Sequence, residues 1–169
     1  MPTKCAQCGE LHDEWPAIGF TSPFHYHILS EEDKANIATL TDDICVIKHD
    51  TQTDYFIRAV MEIEVKDHCD TLEYGVWVSL SDSSIEDYIT RSSEEGTCDV
   101  NYFGFLCSQI PGYDSTLSIK TNVHFTGGGQ RPMIYLEKTS HPLSVDFHEG
   151  ISKEEAESRI NEIFGGGFE

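Results

Sequence analysis

Apolar and polar residues alternate with period two along three stretches of the chain, and each predicts a strand with one covered face. Tyr55, Ile57, Ala59, Met61, Ile63 and Val65 alternate with Arg58, Glu62 and Glu64, while Phe56 and Val60 interrupt the polar side near one end. Tyr74, Val76, Val78 and Leu80 alternate in the same way with Trp77 opposite, and the acidic connection between the two stretches suits antiparallel neighbours. Leu117, Ile119, Thr121, Val123 and Phe125 alternate against Ser118, Lys120, Asn122 and His124. Gly127–Gly129 then reads as a turn and Pro132–Glu137 as the returning partner strand. Two apolar runs, Asp43–Lys48 and Val100–Cys107, read as further strands, the first largely buried, and Pro111-Gly112 marks a turn.

The period lengthens to that of a helix in three places. Ser30 followed by Glu31, Glu32 and Asp33 offers a hydroxyl cap and acids at the positive end of the dipole, predicting a helix to about Leu40 with a thin apolar face of Ala35, Ile37, Ala38 and Leu40. A second helix starts near Ser81-Asp82, with Ile85, Tyr88 and Ile89 on one stripe. Ser152 to Glu155 is a capping-box pattern opening a third, with stripe Ala156, Ile160, Ile163 and Phe164 and a stop at Gly165. Phe20–His27, rich in aromatics and proline, reads as an irregular loop held down by its rings. Because strands do not alternate regularly with helices, the expected class is α+β. The expectation is one domain over residues 1–169: a mainly antiparallel sheet, about three helices on one face, and residues 1–20 as a cysteine knuckle and loop packed on the sheet edge.

Charge narrows the possible partners. Eleven Lys and Arg against 30 Asp and Glu give a formal −19. A phosphate backbone or an anionic membrane needs a basic face, so neither nucleic acid nor membrane is an expected partner. The acidity serves solubility, or it steers the protein to a basic protein partner. No apolar run suits a signal peptide or a membrane span, so a cytoplasmic location is expected. In that compartment the six cysteines read as metal ligands or core residues rather than as disulfides.

The most specific chemical signal is Cys5-x-x-Cys8-Gly9 with His12 three residues on. Two thiolates on one tight turn can grip tetrahedral Zn²⁺ from one side, and Gly9 lets the turn close. The expected cofactor is a structural Zn²⁺ with Cys5, Cys8, His12 and Cys45 as the metal set. Cys107, His124 and His141 are more distant candidates. Cys45 and Cys107 read equally as small buried hydrophobes, His124 as solvated, and His141, before Pro142 in an extended segment, as needing no ligand. A dithiol redox pair suits Cys5 and Cys8 less well, because no strand precedes them to place them at a helix start. Cys107 with His124 or His141, oriented by Asp146 or Glu149, would make a nucleophilic set, but nothing in the spacing demands it. Both glycine triplets lack the context of a phosphate loop. Arg58, Lys120, His124 and Arg131 are scarce cationic or titratable groups on predicted strands. They either line a polar face that binds an anion or carboxylate, or pair across strands with Glu62, Glu64 or Glu137.

Several stretches together resemble an uncharacterised bacterial family, the domain of unknown function 2199. They are Cys5-x-x-Cys8-Gly9-x-x-His12, Asp43-x-Cys45-x-Ile47, Phe56-Ile57-Arg58, Gly75–Leu80, Tyr102–Cys107, Pro111-Gly112-Tyr113, Leu117-x-x-Lys120-Thr121, Arg131-Pro132 and His141-Pro142-Leu143. The pieces keep their order over nearly the whole chain; Cys69 and Cys98 fall outside them. The resemblance implies a single-domain bacterial cytosolic protein and implies no activity. The resulting expectation is a non-enzymatic acidic protein with a structural zinc site, acting by protein–protein contact in the manner of an immunity protein or inhibitor. The alternative is a small enzyme or anion-binding protein using a polar sheet face around Arg58, Lys120 and His124.

Overall fold

The computed structural model describes residues 3–4, 11–12, 15–68 and 70–165, the first two pairs as backbone only. In chain order the strands are β1 (Thr3–Lys4), β2 (Leu11–His12), β3 (Ile18–Gly19), β4 (Ala38–Leu40), β5 (Ile44–Lys48), β6 (Thr53–Glu64), β7 (Thr71–Leu80), β8 (Thr97–Leu106), β9 (Lys120–Gly127) and β10 (Met133–Leu136). The helices are α1 (Phe24–His27), α2 (Glu31–Asn36), α3 (Asp82–Ser92), α4 (Pro142–Glu149) and α5 (Lys153–Phe164). The chain divides into two compact units, one of residues 19–61 and 75–137, the other of residues 1–18, 62–74 and 138–169. Among the described residues, no helix is long and apolar enough to cross a membrane.

In the first unit β7, β8, β9, β10 and β6 follow one another and β6 pairs again with β7, which closes a five-stranded barrel; β5 and β4 extend the sheet beyond β6. Pairing is antiparallel from β4 to β6 and from β7 to β10, whereas β10 meets β6 in parallel at Met133↔Val60. The class is therefore α+β as expected, but the sheet is mixed and closed rather than open with helices on one face. Closure gives each of the five barrel strands a partner on both sides, and β4 remains an edge of the extension. Gly104 permits close approach of β7 and β8: a Cβ there would lie 2.5 Å from the Ser79 carbonyl oxygen.

Outside the barrel wall lies a second apolar cluster of Cys45, Ile47, Phe56, Trp77 and Cys107, against which Phe20, Tyr26, Leu29, Ile37, Ala38 and Leu40 pack. This cluster explains why the helix expected to reach about Leu40 stops at Asn36. Ala38, Thr39 and Leu40 instead pair with Ile47, Val46 and Cys45, which turns their apolar side chains onto the cluster. Ser30 does cap the shortened helix, its Oγ accepting from Asp33 N at 3.1 Å. Phe20–His27 is mostly irregular, as expected, apart from the single turn of α1. Ser81 caps α3, accepting from Ser84 N at 3.2 Å, and Ile85 and Tyr88 are buried, but Ile89 is exposed, so the expected stripe loses its third member.

In the other unit β1 and β2 form an antiparallel pair, Thr3 opposite His12 and Lys4 opposite Leu11. Ser152 accepts from Glu155 N at 3.1 Å and opens α5 where the capping box predicts it. Ala156 and Ile160 are buried, Ile163 and Phe164 are exposed, and Gly165 ends the helix in the left-handed region at φ 71°. The stretch after His141, read from sequence as extended, is α4. Proline fits its first position because that N–H has no helical partner, and His141 Nδ1 accepts from Leu143 N at 3.0 Å. Val65 bridges Ile151 in parallel, and Arg159 donates to Glu155, Tyr74 Oη and Asp146 at 2.9, 3.2 and 3.3 Å.

Candidate functional site

Among the residues proposed as metal ligands, Cys5 and Cys8 lie outside the described residues, and His12 is placed only as backbone on β2. Cys45 sits fully buried in the second apolar cluster, where burial pushes its thiol up to about 12. Such a thiol stays protonated and packs as a small hydrophobe. Cys107 shares the cluster; burial pushes it up to about 11, and its Sγ donates to Phe105 O at 3.3 Å. It therefore lacks the lowered pKa of a nucleophilic cysteine. His141 uses its Nδ1 as the α4 cap and Asp146 binds Arg159. Among the described residues, no group of three or more His, Cys, Asp or Glu gathers to hold a metal.

The four residues proposed for an anion-binding face divide between two places. Arg58 and Arg131 converge on the turn between β4 and β5. There Arg131 Nε donates to Asp43 Oδ1 at 2.8 Å, and Arg58 donates from its backbone N to Asp43 O at 2.9 Å and from Nη1 to Asp42 O at 3.4 Å. Arg131 thus pairs with Asp43, not across a strand with Glu62, Glu64 or Glu137. The Arg58 guanidinium lies 5.9 Å from the Trp77 ring centre, and Gly19 leaves it room, since a Cβ there would come within 3.4 Å of Nη2. Its Nε is buried without a hydrogen-bond partner.

Lys120 and His124 belong to a different surface, the outer face of β8, β9 and β10. Strict alternation on these strands turns Tyr102, Leu106, Thr121, Val123, Phe125, Ile134 and Leu136 inward. The same alternation turns Phe103, Phe105 and Tyr135 outward, 56%, 38% and 46% exposed. Register sets Phe103 opposite Asn122, Asn122 opposite Tyr135, and Phe105 opposite Lys120. Phe103 and Phe105 meet edge-to-face at 5.0 Å and form a ridge. Two polar members of the face are tied down: Asn122 Nδ2 donates to Asn101 Oδ1 at 2.9 Å, and His124 Nε2 lies 2.6 Å from Asp99 Oδ1. On one side of the ridge is a shallow groove of about 460 Å³ that includes Lys120, Tyr135 and Glu137. On the other is a larger cleft of about 730 Å³ reaching the start of β6 and the β7–α3 junction.

The aromatic ridge is the feature that sequence reasoning missed. Val100–Cys107 carries apolar residues on both sides, so period two is masked and the run reads only as a strand, with no face marked as outward. The available signal was the small residue between two phenylalanines: Gly104 sits on the inner side at the close approach to β7, which fixes its neighbours as outward.

A family model matches residues 4–151, most of the chain. The chain belongs to that family, described as uncharacterized protein conserved in bacteria (DUF2199). No curated protein and no solved structure matches it. The DUF2199 description brings no activity, so function rests on the site. The matched span contains β7 with Trp77, the β8 ridge, the Arg131 contact to Asp43, and the His141 cap of α4.

Proposed function

We propose that this DUF2199 protein works without catalysis, by binding a basic protein partner through the outer face of β8, β9 and β10, in the manner of an immunity protein or inhibitor. The observation that carries the reading is the exposure of Phe103, Phe105 and Tyr135 on the outer face of a regular sheet in a chain with formal charge −19. Aromatic residues that become fully desolvated supply most of the energy at a protein interface, and opposite net charges speed encounter. The same proposal places the meeting with that partner in the cytoplasm. The test is capture from the native host at low salt, with Phe103→Ser/Phe105→Ser alongside. The expected result is a basic protein held by the wild type, released by salt and lost from the variant. Retention by the variant, or no basic protein at all, contradicts the reading.

The N terminus is assigned a structural role in the same proposal: Cys5, Cys8 and His12 hold a structural Zn²⁺. Support comes from the β1–β2 pairing, which returns His12 opposite Thr3, two residues before Cys5. The surroundings of Cys45 argue against it as the fourth ligand. About one zinc per chain, lost from Cys5→Ser/Cys8→Ser together with thermal stability, is the expected result by metal analysis. No zinc in the wild type contradicts it.

A further inference from the structure

We infer that the cleft beside the Phe103–Phe105 ridge receives a lysine- or arginine-bearing segment of the basic partner, with the aromatic rings against the side-chain stem and Asp82 against its charge; this rests on the reading of the face given above. The cleft encloses about 730 Å³, and its lining includes Asp54, Asp82 and His25 but no lysine or arginine. An anionic ligand would meet neither a cation nor a favourable field there, since the whole chain carries −19. A cationic segment meets both a carboxylate and aromatic faces.

The two carboxylates differ. Asp54 is held from both sides, by His49 Nε2 at 3.0 Å and by Gln52 Nε2 at 2.9 Å, so it shapes the wall. Asp82 begins α3, is exposed, and joins none of the ion pairs among the described residues. Phe103 and Phe105 line the cleft as well as form the ridge, so a segment lying across the exposed sheet face can drop one long side chain into it. Lysine and arginine suit that path, their methylene stems covering aromatic surface while the head reaches a polar group. His25, which also lines the cleft, stacks on Phe56 at 5.3 Å between ring centres.

The test titrates the full chain with acetyl-Gly-Arg-Gly-amide, and separately with the citrulline analogue, which keeps the shape and removes the charge. Amide resonances are followed by ¹H–¹⁵N NMR. The expected result is saturable shifts at Ser79, Ser81, Asp82 and Gly104 with the arginine peptide. Binding weakens about fivefold with citrulline or with Asp82→Asn, and is unchanged by Glu154→Gln, which removes a charge elsewhere. Equal shifts with both peptides, or arginine shifts scattered over the acidic surface and absent from the cleft, overturn the inference. The reading of the face fails separately. If the cleft stays silent while Phe103→Ser/Phe105→Ser still abolishes capture of the basic protein, this inference falls and the face reading stands. If the cleft titrates while the variant keeps its basic partner, the face reading falls and the cleft retains its preference for a cation.

Discussion

β7 and β8 are neighbouring ten-residue strands with similar apolar runs, and they end in opposite circumstances. On β7, Val76, Trp77 and Val78 are all fully buried, so both faces are covered. Trp77 gains its cover from the chain between Phe20 and Lys48: its Nε1 donates to Phe20 O at 2.8 Å, and the Arg58 guanidinium lies over its ring. On β8, Tyr102 and Leu106 are buried but Phe103 and Phe105 are open to solvent. The fold supplies a cover for one aromatic strand face and leaves the other bare. The covered face is a matter of stability, and the bare face is where a partner gains most by binding.

Truncating the aromatics on each strand separates the covered face from the exposed one. Trp77→Ala removes a fully buried ring from a close-packed cluster and should cost about 3–5 kcal/mol in urea unfolding. Phe103→Ser/Phe105→Ser should cost clearly less than Trp77→Ala, because those rings are already partly in water. Equal losses would mean that the β8 ridge belongs to the core after all.

A smaller effect sharpens the account of the covering cluster. Burial raises the Cys45 and Cys107 thiols to about 12 and about 11 from an ordinary value of 9.0. The unfolded chain therefore releases these protons at a lower pH than the folded one. Stability is fully present below pH 9 and falls as pH rises through the folded values. Burial likewise raises the Tyr74, Tyr88 and Tyr102 phenols and extends the loss above pH 10. Urea midpoints at pH 8 and pH 10.5 should differ in that direction, and Cys45→Ala/Cys107→Ala should flatten the difference. A midpoint independent of pH would show that the thiols are not buried in apolar surroundings.

Most of the strands are legible because one of their faces is wet: β10 and β9 from Lys120 onward follow the period-two pattern, although Leu117 and Ser118, read into the same strand, form a turn with Ser118 at φ 70°. The serine caps of α2, α3 and α5 sit where local chemistry puts them. Tertiary contacts decided the rest. Residues 38–40, read from sequence as the end of a helix, form a strand, because pairing with β5 packs Ala38 and Leu40, partly buried, against the second cluster. Barrel closure depends on one parallel bridge between Val60 and Met133, which no local pattern announces. For the candidate site, spacing speaks only for Cys5, Cys8 and His12, whereas the apolar neighbours Ile44, Val46 and Ile47 of Cys45 point to the core position it takes. Lys120 and His124 were placed correctly on one strand face, but Arg58 and Arg131 belong to the Asp42-Asp43 turn. The aromatic face stayed hidden because its strand is apolar on both sides.

Hydroxyl-radical footprinting of the protein alone and with its captured basic partner tests the central claim most directly, since exposed aromatic rings are oxidised in proportion to their access to water. Ile163 and Phe164, 41% and 42% exposed on α5, serve as the internal reference. Oxidation of Phe103, Phe105 and Tyr135 should fall several-fold in the complex while Ile163 and Phe164 keep their rate. Unchanged oxidation of the three aromatics in a complex that demonstrably forms would contradict it.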